Sequence, residues 1–515
     1  MTKLELETAL PQQGRAAATD WLRVGFWLAL ALLATLWVFI INGGPLYYYD
    51  TAGYFAHGNR MFGMLGLFQP DPATAGSGGA AASSGDGMVV GSRSAVYALF
   101  LSLFLKQGGL WLAVLAQSGI LVAALYLAAR AVLPVGTVPE RIAAAQATAL
   151  ATVAAALGSA SFYTAYLMPD IFLPVLLLVI AVLVAFAARL RLWQTIALLG
   201  LGMAAVLTHP SHLAVALLMI PVAVLVPLVF GTGRWWLAGL LVALIAGTGV
   251  VERLAFTVAV TTVTDSEVVY TPFFTARLIS DGPGKSWLDE NCPQAGLVTC
   301  DLNALLLRPG QMSPERILFS HDPLDGSFAL MTPAQRQAIA GEQRGFLIAV
   351  VASRPLGVIG AALGNTLRQM GLVSIDMTIP DQSVFTNAAK MSTEFPPSLA
   401  QGRLFGGGPW VTTLTTLHQI YYALAGLALL ALLVAPQSRL PRHLRAFGVL
   451  VILGVLANAF VTGAISQPAN RYGARAIFLI PAVLVLLVMA RAALTPSTSA
   501  RSALAKSAAT RKARP

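Results

Sequence analysis

Long apolar runs recur along the chain from Leu22 to Met489, and few charged residues interrupt them. A helix needs about 20 apolar residues to cross a hydrocarbon core about 30 Å thick. The alternation of apolar and polar positions that is typical of a β-barrel is absent from these runs. The pattern predicts about ten spanning helices, at residues 22–42, 110–130, 142–162, 171–188, 194–208, 213–230, 235–252, 413–435, 447–463 and 475–491.

The composition supports the same fold class. Of 515 residues, 57% are hydrophobic and only 11% are charged, and the mean hydropathy is +0.73. Soluble domains contain about 25% charged residues. We therefore expect an all-α polytopic membrane protein.

The formal net charge of +11 is distributed as in a membrane protein and does not indicate a nucleic-acid partner. If the N-terminus is cytoplasmic, the cytoplasmic segments hold about half of the 33 Lys and Arg residues, as the positive-inside rule requires. Of the 22 acids they hold only Glu5, Glu7, Asp20 and Glu140. We expect a multi-pass protein of a bacterial inner membrane with both termini in the cytoplasm. The basic tail 501–515 would anchor it at anionic lipid.

Three blocks follow from the spacing of the spans. Residues 1–252 form an N-terminal transmembrane core with a long first outer loop, 43–109. Residues 253–412, here called the cap region, are mixed in composition and long enough to fold outside the membrane. Residues 413–515 hold the last helices and the tail. Within the cap region, "GFLIAVVASRPLGVIGAAL" predicts an amphipathic helix on the membrane surface, because Arg354 and Pro355 interrupt its centre.

The two cysteines, Cys292 and Cys300, both fall in the cap region. An extracytoplasmic location is oxidising, so we expect a disulfide, with two free thiols as the alternative. A zinc site is not favoured, because no His or second Cys pair lies nearby at ligand spacing.

Charged residues beside the outer ends of spans are the candidates for chemistry, because such groups are costly near lipid unless something compensates them. In "YYYDTAGYFAHGNRMF", Asp50, Tyr54 and His57 would share one face of a helix, with Arg60 following. A carboxylate there can act as a general base, although an interfacial aromatic belt with one solvated acid is the alternative. Arg93 and Tyr97 begin an apolar segment too short to span alone.

Further candidates lie at later span ends. Asp170 follows Tyr163 and Tyr166, and is either a site residue or a helix cap. His209 and His212, in "LTHPSHL", either bind phosphate or metal or are structural. Glu252 and Arg253 end the seventh span, and Arg471 and Arg475 open the last. These arginines either grip a phosphate by paired hydrogen bonds or reach toward the interface as anchors.

Motifs of soluble enzymes are missing from the sequence, including GxxxxGK[ST], GxGxxG, HExxH and the nucleophile elbow. Chemistry at the membrane surface and transport are the functions that remain.

Four segments, in this order, resemble the GT-C superfamily of polyprenyl-phosphate-dependent membrane glycosyltransferases, with the core of the aminoarabinose and protein O-mannosyl transferases. The segment "YYYDTAGYFAHGNRMF" is similar to the family's acid after span one, and "SRSAVYALFLSLFLK" to its Arg-Pro-Pro-Leu-Tyr stretch. "YLMPDIFLP" with "LTHPSHL" is similar to the family's Pro-Asp and Leu-Thr-Lys-Pro, and "NRYGARAIFLIP" to its Arg-Tyr-x-x-Pro. Asp50 has no acid beside it, so a divalent metal is not favoured and no cofactor is predicted.

The resemblance implies an inverting sugar transfer. Asp50 would deprotonate a hydroxyl of a glycolipid, polysaccharide or protein acceptor, which attacks a sugar on a polyprenyl phosphate. Arg471 would hold the leaving phosphate, with Arg253 or His209, and Asp170 would order the first outer loop or contact the sugar. The predicted donor site is completed by Tyr54, His57, Arg60, Arg93, Tyr97 and His212.

Two other functions stay open at this point. A lipid or polysaccharide transporter without chemistry would carry charged residues inside its spans, and the predicted spans contain almost none. An O-antigen ligase or polymerase type of enzyme would use arginines and a histidine of the cap region, for which His321 is the candidate.

Overall fold

The protein is described from a computed structural model. The structure describes residues 3–64, 66, 88–91, 93–106, 108–134, 140–264, 267–306, 312–392, 395–438 and 440–494. The Gly/Ala/Ser-rich stretch of the first outer loop, residues 71–87, lies outside the described residues, and so does the basic tail with its predicted role as an anchor.

The N-terminal core consists of helices α1 to α10 in chain order. Their bounds are Lys3–Asn42, Tyr49–Met64, Ala95–Lys106, Leu110–Val132, Glu140–Ala156, Ala160–Ala165, Phe172–Ala185, Leu192–Val206, Pro210–Phe230 and Trp235–Thr264. Two short strands, β1 (Met88–Val90) and β2 (Glu267–Val269), pair in parallel. This small sheet is an addition to the all-α fold that the sequence predicts.

The remaining helices belong to the cap region and to the C-terminal block. In chain order, α11 to α21 are Phe273–Asp281, Pro283–Asn291, Thr299–Leu305, Pro314–Phe319, Pro333–Ser353, Pro355–Gly371, Gln382–Met391, Pro409–Val434, Arg442–Phe460, Asn470–Ile477 and Leu479–Leu494. A short π-helical turn, Val461–Ile465, follows α19.

Seven segments among the described residues are long and apolar enough to cross a membrane, or eight if one bent helix pair is a span. They are Thr19–Asn42, Leu110–Val132, Pro210–Phe230, Trp235–Thr262, Pro409–Val434, Arg442–Ile465 and Asn470–Leu494. Residues such as Leu22, Val229 and Val434 expose more than 70% of their surface on these helices. Large exposed apolar residues in such number are stable against lipid and not against water. The prediction of an α-helical polytopic membrane protein is confirmed at this level.

Two predicted spans are shorter in the structure than in the sequence prediction, and a third is short in both. Residues 142–162 divide into α5 and α6. Helix α7 has 14 residues, fewer than the predicted span 171–188, and α8 has 15, the predicted length, shifted by two positions. At 1.5 Å per residue these two helices are about 21 and 23 Å long, less than a typical hydrocarbon core. Every residue of α7 is buried, so this helix forms the centre of the bundle.

Two predicted boundaries change. Helix α10 continues to Thr264, so the boundary after residue 252 falls inside a helix. The segment "GFLIAVVASRPLGVIGAAL" is not one amphipathic helix, because α15 and α16 meet at 107° at Arg354. Proline after Arg354 removes a backbone donor and blocks continuation of α15, which explains the break.

The cap region has two structurally different parts. Helices α11 to α15 surround a separate apolar core that includes Ile279, Leu302, Ile317 and Phe346. Residues 373–399 instead join the main core, through side chains that include Ile375, Ala388 and Phe395. The second part therefore belongs with the transmembrane core, and only the first part folds around its own centre.

Cys292 and Cys300 form a disulfide, as the sequence predicts. It closes a short loop between α12 and α13. Removal of the disulfide would increase the chain entropy of the unfolded cap region and lower the free energy of unfolding by about 2–3 kcal/mol. We expect the double variant Cys292→Ser/Cys300→Ser to shift protease cleavage of residues 282–306 to lower temperature, with the transmembrane helices unaffected. Equal protease resistance in both proteins would contradict this expectation.

Candidate functional site

The position of Asp50 is set by the chain segment between α1 and α2. The backbone of Leu46 pairs with residues 165 and 167: its N–H donates to Ala165 O at 2.8 Å, and Leu167 N–H donates back at 2.8 Å. Thr51 Oγ1 also donates to Leu167 O at 3.1 Å. The first turn of α2, which carries Asp50, is thereby fixed beside the segment that leads to Asp170.

Asp50 forms an ion pair with Arg93, whose Nη2 lies 2.7 Å from Oδ1. The two residues are 43 positions apart, and Arg93 comes just before α3, which packs against α2. Gly53 makes this approach possible: a Cβ at that position would lie 2.8 Å from Cζ of Arg93. The carboxylate retains 27% of its exposure, so one side of it is open to a ligand.

A second, fully buried carboxylate lies behind the first. Asp170 accepts hydrogen bonds from Nε and Nη2 of Arg471, the shortest at 2.7 Å, and from Nη1 of Arg475 at 3.2 Å. Both arginines lie on α20, one turn apart, so they reach the same acid. Asp170 makes no helix-capping hydrogen bond, which contradicts the capping alternative. The side chain of Asp170 is 0% exposed, so no side of this carboxylate is open to a ligand in this structure, and its predicted catalytic role stays a prediction.

Arg471 connects the two carboxylates. Its Nη1 lies 3.8 Å from Asp50 Oδ2, while its other nitrogens bind Asp170. The rings of Tyr48, Tyr166 and Tyr472 lie 5.4 to 5.8 Å from its guanidinium carbon. Tyr163 Oη donates to the backbone oxygen of Arg471 at 2.7 Å. The guanidinium is therefore fixed in place before any ligand binds.

Arg475 is anchored from the side opposite to Asp170. Its Nη2 donates to Asn458 Oδ1 at 3.0 Å and to Ser211 Oγ at 3.1 Å. The side chain has no exposure, so it is not an anchor that reaches toward the interface. We call Asp50, Arg93, Asp170, Arg471 and Arg475 the Asp50 cluster.

The two histidines have structural partners. His209 is the N-cap of α9 and its Nδ1 accepts from the Ser211 N–H at 3.1 Å. His212 is buried and its Nδ1 lies 2.9 Å from the Ala205 backbone oxygen. The pKa of His209 lies well below its usual value, mainly because the side chain is buried and next because His212 and Arg475 are close. These contacts favour the structural alternative for both residues.

Tyr54 and Tyr97 form a buried edge-to-face pair with ring centres 5.0 Å apart. Tyr97 Oη also donates to Gln117 at 2.9 Å, so this predicted donor-site pair supports the wall of the site. His57 and Arg60 lie further along α2, about 10 and 15 Å beyond Asp50 along the helix axis at 1.5 Å per residue. Their predicted role in the donor site stays a prediction.

Arg253 occupies a different position from the predicted one. Its Nη1 donates to Gly91 O at 2.6 Å, and its guanidinium carbon lies 5.9 Å from the Tyr270 ring centre. Glu252 is 3.6 Å away. Arg253 thus holds Gly91, the residue that follows β1 and lies two positions before Arg93.

Sequence reasoning missed Glu315, which lies on α14 in the cap region. Its carboxylate accepts from Tyr49 Oη at 3.1 Å and from Gln467 Nε2 at 2.8 Å. Burial and then Asp50 raise the pKa of Tyr49 well above its usual value, so the phenol stays protonated and donates. Glu315 is in a short helix far along the chain, and no signal in the sequence relates it to Tyr49.

Groups of three or more His, Cys, Asp or Glu suited to a metal ion are not found within the described ranges. The arrangement of the Asp50 cluster is suited to an anion: two guanidinium groups flank one accessible carboxylate. Together with the spanning helices, it defines a polytopic membrane protein with a fixed cationic site at one end of its bundle. No protein-family model matches the chain, and a comparison with curated proteins found no match.

Proposed function

We propose that this protein is a membrane glycosyltransferase that transfers a sugar from a polyprenyl phosphate to a hydroxyl group of an extracytoplasmic acceptor. One observation carries the proposal: the partly exposed Asp50 lies between Arg93 and Arg471 at the end of membrane-spanning helices. A base and a phosphate site are needed side by side in this reaction. The resemblance to the GT-C superfamily rests on the same residues.

The proposed reaction is a single displacement. Asp50 takes the proton of the acceptor hydroxyl, whose oxygen forms a bond to the anomeric carbon. The bond from that carbon to the phosphate oxygen breaks, and polyprenyl phosphate leaves with the electron pair. Arg93 and Arg471 stabilise the negative charge on the phosphate. Attack opposite to the leaving group inverts the anomeric centre.

Asp170 has a positioning role in this proposal. Its ion pairs with Arg471 and Arg475 are fully buried, so it does not contact the sugar. It holds Arg471 close to Asp50 and compensates part of its positive charge when no phosphate is bound. Folding therefore orients the phosphate-binding guanidinium group before the ligand arrives, and binding does not have to order it.

The two alternatives are less well supported. The buried charges of the Asp50 cluster lie on the short helix α20 and just before the first turn of α7, and do not form a path along the long helices. A transporter would need such a path. His321, the candidate of a ligase-type enzyme, is exposed on a turn of the cap region, whereas the arginines of the site come from the transmembrane core.

The finer topology is part of the proposal. We place both termini in the cytoplasm of a bacterium, about ten helices across the inner membrane and the Asp50 cluster on the periplasmic side. The positive-inside pattern supports this orientation. The ten crossings include α5, α7 and α8, which are short enough to need thinning of the bilayer or partial embedding among the longer helices.

The orientation predicts opposite labelling of two introduced cysteines. The native cysteines are paired, so a new one is the reactive thiol. A membrane-impermeant maleimide should label Asp322→Cys in intact cells and Arg191→Cys only after permeabilisation, because these exposed residues lie on opposite sides of the proposed membrane. The reverse pattern would place the Asp50 cluster in the cytoplasm and contradict the proposed reaction.

Gly53→Ala should separate Arg93 from Asp50 without unfolding α2. The new methyl group would occupy the place of the guanidinium, while alanine favours the helix. We expect binding of a short polyprenyl phosphate, measured by native mass spectrometry, to weaken about tenfold, the loss of one charge-assisted contact. Gly119→Ala is the control, since a Cβ there has no neighbour within 4 Å. Equal binding by both variants would contradict the role of Arg93.

The test of the proposed function is release of polyprenyl phosphate from its sugar-linked form by membranes that contain the protein. The wild type should release it and Arg93→Gln should release it more slowly, whereas Arg344→Gln, an exposed change in the cap region, should have no effect. Release by none of the proteins, over a panel of sugars and acceptors, would overturn the proposal.

A further inference from the structure

A second concave site lies at the end of the bundle opposite to the Asp50 cluster. Three helices connect the two ends. Helix α7 begins beside Asp170, α9 begins beside His209, and α19 ends near Asn458, which binds Arg475. Between their other ends is a pocket of about 320 Å³, lined by residues that include Phe186, Arg189, Gly231, Thr232, Arg442 and His443. Helices of 14 to 21 residues put it about 20–30 Å from the first site.

The pocket carries positive charge without a compensating acid. Within the described part of the chain, neither Arg189 nor Arg442 has a carboxylate oxygen within 4.0 Å. The neighbouring cations Arg130 and Arg191 differ, because both pair with Glu140. A pocket with two uncompensated guanidinium groups favours an anion.

One of these arginines is oriented by a neighbour. Arg189 Nη1 lies 2.8 Å from Nε2 of His443, which accepts its hydrogen bond in the neutral form. The His443 ring packs edge-on against Phe186, with centres 5.5 Å apart. Arg189 is thus held toward the pocket, with its remaining N–H groups available for a ligand.

The backbone adds donors to the same pocket. Helix α19 begins at Arg442, and no side chain caps its first turn. The Leu444 N–H donates to Pro441 O at 3.0 Å, so the N–H groups of Arg442 and His443 are the ones of this turn that can attract negative charge. This feature is independent of the arginine side chains and points to the same kind of ligand.

The surroundings of the pocket are those of a membrane interface. Trp193, Trp235 and Trp236, which start α8 and α10, expose 46–57% of their surface. Tryptophans concentrate at the level of lipid headgroups. On α9, Leu225, Leu228 and Val229 are exposed on the approach to Gly231. Apolar surface that leads into a cationic pocket fits the acyl chains and the phosphate of one lipid.

We propose that this pocket binds the phosphate of an anionic membrane lipid, with Arg189, Arg442 and the first turn of α19 as its donors. The acyl chains lie along the exposed face of α9. A lipid bound there joins α7, α9 and α19, the three helices that also hold the Asp50 cluster. The proposal does not depend on the glycosyltransferase function.

The test uses the full-length protein in detergent, with native mass spectrometry of bound dioleoyl phosphatidylglycerol and dioleoyl phosphatidylcholine. The wild type should bind phosphatidylglycerol at least tenfold more tightly than phosphatidylcholine. Arg189→Gln/Arg442→Gln should lose that preference. The matched control is Arg191→Gln/Arg234→Gln, which removes two positive charges from neighbouring loops outside the pocket. It should retain at least half of the wild-type affinity.

Three results would overturn the proposal. The first is unchanged phosphatidylglycerol binding by Arg189→Gln/Arg442→Gln. The second is an equal loss in both double variants, which would mean general attraction by a basic surface. The third is full displacement of the lipid by about 10 mM inorganic phosphate, which would mean that the pocket is a site for a free anion with an affinity on the order of millimolar. A thermal unfolding midpoint within about 3 °C of wild type shows that a variant is folded.

Discussion

Replacing Asp50 with asparagine is expected to slow sugar transfer by about 10²- to 10⁴-fold, the contribution of a general base. Asparagine keeps the shape of the side chain and its contact with Arg93, but its amide does not take a proton. Arg471 keeps its main partner, Asp170, so the fold should survive. The measurement is the initial rate of polyprenyl phosphate release, together with the thermal unfolding midpoint of each protein.

The control for this variant is Asp289→Asn. Asp289 is an exposed acid of the cap region that pairs with Lys285, and its loss should leave the rate within about twofold of the wild type because exposed pairs contribute little. Asp50→Asn with a rate close to wild type would exclude Asp50 as the base. Asp50→Asn that fails to fold would instead assign the residue a structural role.

Asp170→Asn should have the largest effect on stability. The substitution leaves Arg471 and Arg475 buried without their common counter-charge, and breaking a buried ion pair on one side costs about 3–5 kcal/mol. We expect a large drop of the unfolding midpoint in detergent and loss of activity. Adding Arg475→Met, which removes one of the two uncompensated charges, should restore part of the stability.

Glu290→Gln is the matched comparison for Asp170→Asn. It also removes one carboxylate from an arginine, Arg354, but the pair is at the surface and Glu290 is 64% exposed. Its loss should cost less than about 1 kcal/mol. A similar destabilisation by both variants would mean that burial of the Asp170 ion pairs contributes nothing, contrary to the structure.

Much of the Asp50 cluster could be predicted from the sequence because hydropathy alone places its members at span ends. Asp50, Asp170 and Arg471 each stand beside a long apolar run, and topology brings such ends to one side of the membrane. Asp170 and Arg471 are 301 residues apart in the sequence, yet Nη2 of Arg471 lies 2.7 Å from Oδ2 of Asp170. Topology, however, gives only the side of the membrane: Arg253 was also predicted on that side, and it binds the Gly91 backbone instead of Asp50.

The role of each residue depended on burial, which hydropathy does not resolve. Asp170 and Asp50 look alike in sequence, both next to tyrosines, but only Asp50 is partly exposed. Glu315 comes from a segment that carries no recognisable pattern, and it contacts Tyr49 and Gln467 only through the packing of the cap region. Likewise, α10 extends to Thr264 and its apolar character continues to Thr262, although Glu252 and Arg253 interrupt the apolar run in the sequence.

A structure of the protein in a lipid nanodisc with bound polyprenyl phosphate tests the central claim most directly. The account predicts the phosphate in contact with Arg93 and Arg471, with an oxygen of the site close to Asp50 and the isoprenoid chain among the spanning helices. A phosphate bound away from both arginines, or at the opposite end of the bundle, would contradict it.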